Sequence, residues 1–76
     1  MSVRLPSFKG RELVALLNRA GFQPVHQDSS HLYLRHPATR RTTCIPIHSG
    51  DVHRGLVRKI LFKDCGLSMA EVQKLL

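Results

Sequence analysis

The chain contains no apolar run as long as a signal peptide or a transmembrane helix, which argues against export and membrane insertion. It also has only two cysteines, Cys44 and Cys65, which lie far apart and form no CxxC pair. A disulfide-stabilised chain of 76 residues would usually carry more cysteines. We therefore expect two reduced thiols that pack in the core of a cytoplasmic protein.

Acidic residues are scarce as well. Five Asp and Glu stand against twelve Lys and Arg, which gives a formal net charge of +7. This excess favours a polyanionic partner, because each phosphate that a protein neutralises releases condensed counterions. Nucleic acid and an acidic protein both fit that description and do not exclude each other, whereas a merely soluble basic protein would need neither.

The N-terminal part of the chain predicts an amphipathic helix within one domain that spans residues 1–76. Ser7 is a suitable N-cap, and Gly21 ends the helix as a left-handed cap. The apolar positions between them recur at helical spacing and are Leu13, Leu16, Leu17 and Ala20.

From Phe22 to Ile47 the apolar period changes to two, which predicts strands over residues 22–27, 31–36 and 41–47. The connections are short, so the strands should form an antiparallel meander. Pro24 cannot donate to a strand ladder and therefore predicts an edge or a bulge in the first strand.

A second helix is predicted from Arg54 to Gly66, and Ser68 should cap a short last helix. Their expected buried residues are Leu56, Val57, Ile60 and Leu61 in the first, and Met69, Val72, Leu75 and Leu76 in the second. The predicted fold class is α+β with the order α-β-β-β-α and a short C-terminal helix. Helices on one face of a three-stranded sheet would leave the opposite face open to solvent.

A histidine at the junction of a polar turn and a strand is the leading candidate for chemistry. His31 follows residues 28–30, and Tyr33 and Arg35 share its side of an alternating strand. An imidazole, an aromatic ring and a guanidinium can supply proton transfer, base stacking and a phosphate contact. The alternative is an ordinary solvated sheet face, which should also be polar.

Other catalytic arrangements have weaker support. The five histidines show no HExxH pattern and no nearby cysteine, so metal-free chemistry is expected. Ser30 and His31 adjoin, but neighbouring strand residues point to opposite faces and the chain has no GxSxG elbow.

The opening of the second helix is a candidate phosphate contact. Gly55 lies there beside Arg54, Arg58 and Lys59, and the N–H groups at a helix start attract anions. The alternative is an ordinary basic first turn, which is slightly unfavourable for the helix dipole.

Four segments of this chain together resemble the HicA-type mRNA interferase toxins over about residues 7–67. They are Ala20-Gly21-Phe22, Ser29-Ser30-His31, Ile45-Pro46-Ile47-His48 and Arg54-Gly55-Leu56-Val57-Arg58-Lys59-Ile60-Leu61. The resemblance implies a fold like the double-stranded RNA-binding domain and a ribonuclease that cuts messenger RNA without a metal or other cofactor. It also implies a HicB-type antitoxin partner and makes His31 the catalytic residue.

Two positions depart from the family pattern. Ser29 replaces the glycine before the Ser-His pair, and serine does not take positive φ without penalty, which predicts a reshaped turn. Ile47 stands where the family often carries a basic residue, which removes a possible phosphate contact.

The resemblance and the residues together predict an endoribonuclease in which His31 is the general base toward a ribose 2′-OH. Arg35, with Arg58 or Lys59, would stabilise the phosphate charge, and His48 is a candidate general acid. The remaining predicted RNA contacts are Ser30, Tyr33 and Arg54. Two alternatives stay open: a non-catalytic RNA-binding module of the same fold, and a small regulatory protein whose basic face docks an acidic partner.

Overall fold

The structure, a computed structural model, describes residues 5–47 and 50–76. Helix α1 spans Gly10–Arg19, and strands β1, β2 and β3 span Gln23–Gln27, His31–Arg35 and Thr42–Pro46. Helix α2 spans Arg54–Arg58 and continues as a π-helical segment over Lys59–Asp64, and helix α3 spans Met69–Leu75. The predicted α+β layout and element order are confirmed.

The three strands form one antiparallel sheet in the order β1-β2-β3, so β1 is an edge strand. Its pairing with β2 shifts between Pro24 and His26, which marks a β-bulge. Both predictions from Pro24, the edge position and the bulge, are therefore confirmed. The bulge places His26 directly opposite Tyr33.

The core lies between the helices and one face of the sheet. The sheet contributes the fully buried residues Leu34 and Ile45 to this core. The other buried apolar residues are Leu5, Phe8, Leu13, Leu16, Leu17, Phe22, Val52, Val57, Ile60, Leu61, Cys65 and Val72. Ala20, Leu56, Met69 and Leu75 are partly buried against this cluster.

Two predictions about buried residues are wrong. Leu76 is 57% exposed, because helix α3 ends at Leu75 and the last residue lies beyond its apolar face. Cys44 is half-buried and alternates with the core residues Thr43 and Ile45, so it lies on the opposite face of the sheet. Cys65 is buried as predicted, and burial raises the pKa of its thiol to about 12.

Helix α1 begins later than predicted. Its N-cap is Lys9, not Ser7, and the Lys9 backbone N–H donates to the Glu12 carboxylate at 2.7 Å. The reason lies far along the chain, since Lys9 forms an isolated β-bridge with Asp51 and so has extended backbone. The predicted end is confirmed, because Gly21 follows the helix with φ 101°.

The second and third helices start where the sequence predicted. The imidazole Nδ1 of His53 accepts the Gly55 N–H at 3.0 Å and caps α2. Ser68 caps α3 by accepting the Glu71 N–H at 3.1 Å, and the Glu71 carboxylate accepts the Ser68 N–H. No helix within the described residues is long and apolar enough to cross a membrane.

Candidate functional site

The sheet face opposite the core, called the open face below, carries the predicted site. Its side chains come from alternate strand positions and are Gln23, His26, His31, Tyr33, Arg35, Thr42, Cys44 and Pro46. His31, Tyr33 and Arg35 lie here together, as the alternation of β2 predicted.

The turn before β2 fixes the backbone at His31. One oxygen of the Asp28 carboxylate accepts the N–H groups of Ser30 and His31, each at 2.8 Å. The Asp28 N–H donates to the His31 carbonyl at 3.0 Å, and the Ile47 N–H donates to the Ser30 carbonyl at 2.9 Å. The segment is therefore held both by its own side chain and by the neighbouring strand.

Serine replaces the family glycine in this turn without backbone strain. Among the described residues other than glycine, only Arg40 has a positive φ, so Ser29 takes an ordinary conformation. The turn is closed by the Asp28 side chain, which is an Asx-type arrangement that does not need glycine. His31 is consequently held at the start of its strand.

The His31 imidazole is accessible and has an acidic neighbour. Its side chain is 44% exposed, and its Nδ1 lies 3.7 Å from the Asp28 carboxylate. The two backbone N–H groups, and then the nearby imidazoles of His31 and His26, lower the pKa of Asp28 below its ordinary value of 3.8. A negative charge therefore lies near Nδ1 at neutral pH, and Nε2 is the ring nitrogen that does not face Asp28.

Tyr33 forms the centre of an aromatic group on the open face. Its ring centroid lies 6.5 Å from that of His31 and 5.4 Å from that of His26. Cys44 on β3 pairs with Tyr33 across the sheet, and interaction with that thiol raises the pKa of the Tyr33 hydroxyl. With 36% of Tyr33 exposed, the ring offers a stacking surface for a base.

His26 belongs to this group, and the sequence reasoning missed it. Strict alternation along β1 would place the His26 side chain on the core side of the sheet. The bulge adds one residue to the strand and so reverses the alternation at His26. A signal was present in the sequence, because a hairpin closed at residues 28–30 brings position 26 close to position 33.

Arg35 lies on the open face but at the far end of β2 from His31. Four residues of strand separate their Cα atoms by about 13 Å, and strand side chains stand roughly perpendicular to the sheet, so the two side chains are not neighbours. Arg35 instead lines a shallow groove of about 270 Å³ together with Gln23, Val25, Pro37 and Arg40.

The cations of the second helix lie on the core side of the sheet rather than on the open face. The Lys59 ammonium contacts the Asp64 carboxylate at 3.0 Å, and that carboxylate also accepts the buried Thr43 hydroxyl at 3.1 Å. The Arg58 guanidinium lies 5.6 Å from the centroid of the Phe62 ring. Arg54 is exposed at the first position of α2.

The predicted phosphate site at the start of α2 is partly occupied by the protein itself. The Gly55 N–H that should attract an anion donates to His53. A phosphate role for this helix therefore stays a prediction. The candidate acid His48 lies outside the described residues, and among the described residues no three His, Cys, Asp or Glu side chains are grouped as metal ligands.

The molecule is an α+β domain with an excess of cations, which favours a polyanionic partner. The family model described as the HicA toxin of bacterial toxin-antitoxin systems matches residues 10–67. The chain therefore belongs to the HicA toxin family, as its motifs indicated, and a toxin of such a system has a cognate antitoxin. Searches of curated proteins and of solved structures gave no match.

Proposed function

We propose that this HicA-family toxin is a metal-independent endoribonuclease that cleaves messenger RNA, stops translation and is neutralised by a HicB-type antitoxin. The observation that carries the proposal is the position of His31. Its backbone is fixed by Asp28, its imidazole is accessible, and it lies on a sheet face of a strongly basic chain. Cytoplasmic messenger RNA would be the substrate.

The reaction is a transesterification within the RNA. His31 Nε2 accepts the proton of a ribose 2′-OH, and the 2′-oxygen attacks the adjacent phosphorus. The bond from phosphorus to the 5′-oxygen breaks, which leaves a 2′,3′-cyclic phosphate on one fragment and a 5′-hydroxyl on the other. General base catalysis of this kind typically contributes about 10² to 10⁴ in rate. DNA lacks the 2′-OH and would not be cut.

The other open-face residues would bind the RNA strand. Tyr33 offers its ring for stacking, and the hydroxyl of Ser30 lies beside His31 in sequence. Arg35 would contact a phosphate neighbouring the reacting one, since it lies about 13 Å along the strand. Arg54, Arg58 and Lys59 would contribute to the attraction of RNA through the overall field of the domain.

The test is cleavage of a long single-stranded RNA in excess EDTA by the wild type and by His31→Ala. We expect cleavage by the wild type and a loss of about 10² to 10⁴ in rate for the variant. His53→Asn is the matched control, because it removes a histidine away from the open face and keeps a good N-cap residue for α2.

Two results would contradict the ribonuclease proposal. Equal cleavage by the wild type and His31→Ala would remove His31 from the chemistry. RNA that stays intact with both proteins while both bind it in a salt-sensitive way would favour the non-catalytic RNA-binding module instead.

A further inference from the structure

The bulge in β1 turns His26 onto the open face. Gln23 pairs with Arg35, and Pro24 pairs with the buried Leu34, so an unbroken alternation would place position 26 on the core side. The register shift between Pro24 and His26 adds one residue and reverses that alternation. Bulges are frequent beside active sites, where they redirect a side chain.

His26 and His31 are consequently close neighbours. His26 lies directly opposite Tyr33, and His31 lies two residues before Tyr33 on the same strand. Positions related in this diagonal way are about 7–8 Å apart in an antiparallel pair. Both imidazole rings also lie near the Tyr33 ring, at 5.4 and 6.5 Å between centroids.

The charged and titratable neighbours of His26 suit a proton donor. The Asp28 carboxylate lies within electrostatic range of both imidazoles. Tyr33, which lies directly opposite His26, has a raised pKa and is neutral near pH 7. A carboxylate within range of both rings attracts a cationic imidazolium at either position.

We propose that His26 is the general acid that protonates the leaving 5′-oxygen while His31 acts as the general base, an inference that rests on the proposed ribonuclease function. The 2′-OH proton goes to His31 as the bond from the 2′-oxygen to phosphorus forms. As the bond from phosphorus to the 5′-oxygen breaks, the proton of the His26 imidazolium goes to that oxygen. His26 thus takes the role that the sequence reasoning offered to His48.

The test compares an oxygen leaving group with a sulfur leaving group at one cut site. The site is first mapped with the wild-type protein, and an oligonucleotide is then made with sulfur in place of the bridging 5′-oxygen at that linkage. A thiolate leaves without protonation, so a general acid is dispensable for this substrate. Gln27→Ala is the matched control, since it changes an exposed neighbour of His26 on the same strand.

We expect His26→Ala to cleave the ordinary linkage about 10² to 10⁴ times more slowly than the wild type and the sulfur linkage at nearly the wild-type rate. His31→Ala should be slow on both linkages, and Gln27→Ala should match the wild type on both. Circular dichroism checks that His26→Ala is folded, as expected for an exposed side chain.

The inference would be overturned if His26→Ala cut the ordinary linkage at the wild-type rate. Equal slowing on both linkages would also overturn it, because it would indicate a role in binding or folding. Both of these results leave the His31-dependent ribonuclease intact. Failure of the wild type to cut any site in the mapping step would instead refute the ribonuclease function and this inference together.

Discussion

Asp28 organises the candidate site with a single side chain. Its carboxylate accepts two backbone N–H groups and lies 3.7 Å from the His31 Nδ1. The acceptor function can be separated from the charge, because an asparagine oxygen can still accept both N–H groups, whereas alanine can accept neither.

We therefore expect Asp28→Ala to slow RNA cleavage more than Asp28→Asn, since only the alanine variant loses the closed turn. Both losses should be smaller than that of His31→Ala, which removes the proposed base itself. Single-turnover rates with saturating RNA would measure all three. A larger loss of cleavage rate for Asp28→Asn than for Asp28→Ala would show that the negative charge of Asp28, and not the turn that it closes, supports cleavage.

The lowered pKa of Asp28 predicts a pH-dependent contribution to stability. Because the folded pKa lies below the ordinary value of 3.8, the ionised carboxylate stabilises the fold fully above that pH. The contribution is lost as the pH falls through the lower folded pKa. Urea unfolding of the wild type and Asp28→Asn should show a difference in unfolding free energy that is constant above 3.8 and shrinks below it. A difference that grew in acid would contradict this assignment.

At the scale of the elements, the helix starts depend on different kinds of contact. Helix α3 begins with a local capping box between Ser68 and Glu71. Helix α1 begins at Gly10 because a β-bridge to Asp51 holds its N-cap residue, Lys9, in an extended conformation.

These two helix starts predict different effects of two serine substitutions on the unfolding free energy. Ser68→Ala should lower the unfolding free energy by about 1 kcal/mol, because an N-cap acceptor is lost. Ser7→Ala should leave it nearly unchanged, since Ser7 caps no helix in the structure. Denaturant unfolding followed by circular dichroism measures both. A comparable loss for Ser7→Ala would mean that α1 starts at Ser7 after all.

At the scale of the whole molecule, the net charge of +7 should govern RNA affinity. Each phosphate contact with single-stranded RNA contributes roughly 0.7 to the slope of log affinity against log salt. We expect Arg35→Ala to reduce that slope by about this amount, because Arg35 lies in an open-face groove. Lys74→Ala, at an exposed position of helix α3, is the control. If both variants reduced the slope equally, RNA affinity would depend on the total charge and not on a contact at Arg35.

The antitoxin should cover the open face, since masking it would block both RNA binding and cleavage. Modification of histidines by diethylpyrocarbonate, read by mass spectrometry, tests this in the complex with the cognate antitoxin. We expect His26 and His31 to be protected by the antitoxin, with His53 as the internal reference away from the open face. Unchanged modification of His26 and His31 would place the antitoxin elsewhere.

The order of the elements could be predicted from the sequence because local patterns determined it. Alternation in β2 placed Leu34 in the core and His31 on the open face, and Gly21 and Ser68 marked helix ends. These features depend on residues a few positions apart, so a single sequence contains the necessary information.

The missed features depend on pairings between distant residues. The start of α1 requires the contact of Lys9 with Asp51, and the position of His26 requires the exact register of β1 against β2. Lys59 could be counted as a cation from the sequence, but its contact with Asp64 follows from the π-helical turn. The resemblance indicated His31 but not its neighbours.

The most direct measurement places a single 2′-deoxynucleotide on the 5′ side of a mapped cut site and identifies the fragment ends in excess EDTA. We expect the all-ribose RNA to give a 2′,3′-cyclic phosphate and a 5′-hydroxyl, and the deoxy-substituted RNA to stay intact at that site. Cleavage of the substituted linkage, or fragments that end in a 3′-hydroxyl and a 5′-phosphate, would contradict a histidine-catalysed attack by the 2′-oxygen.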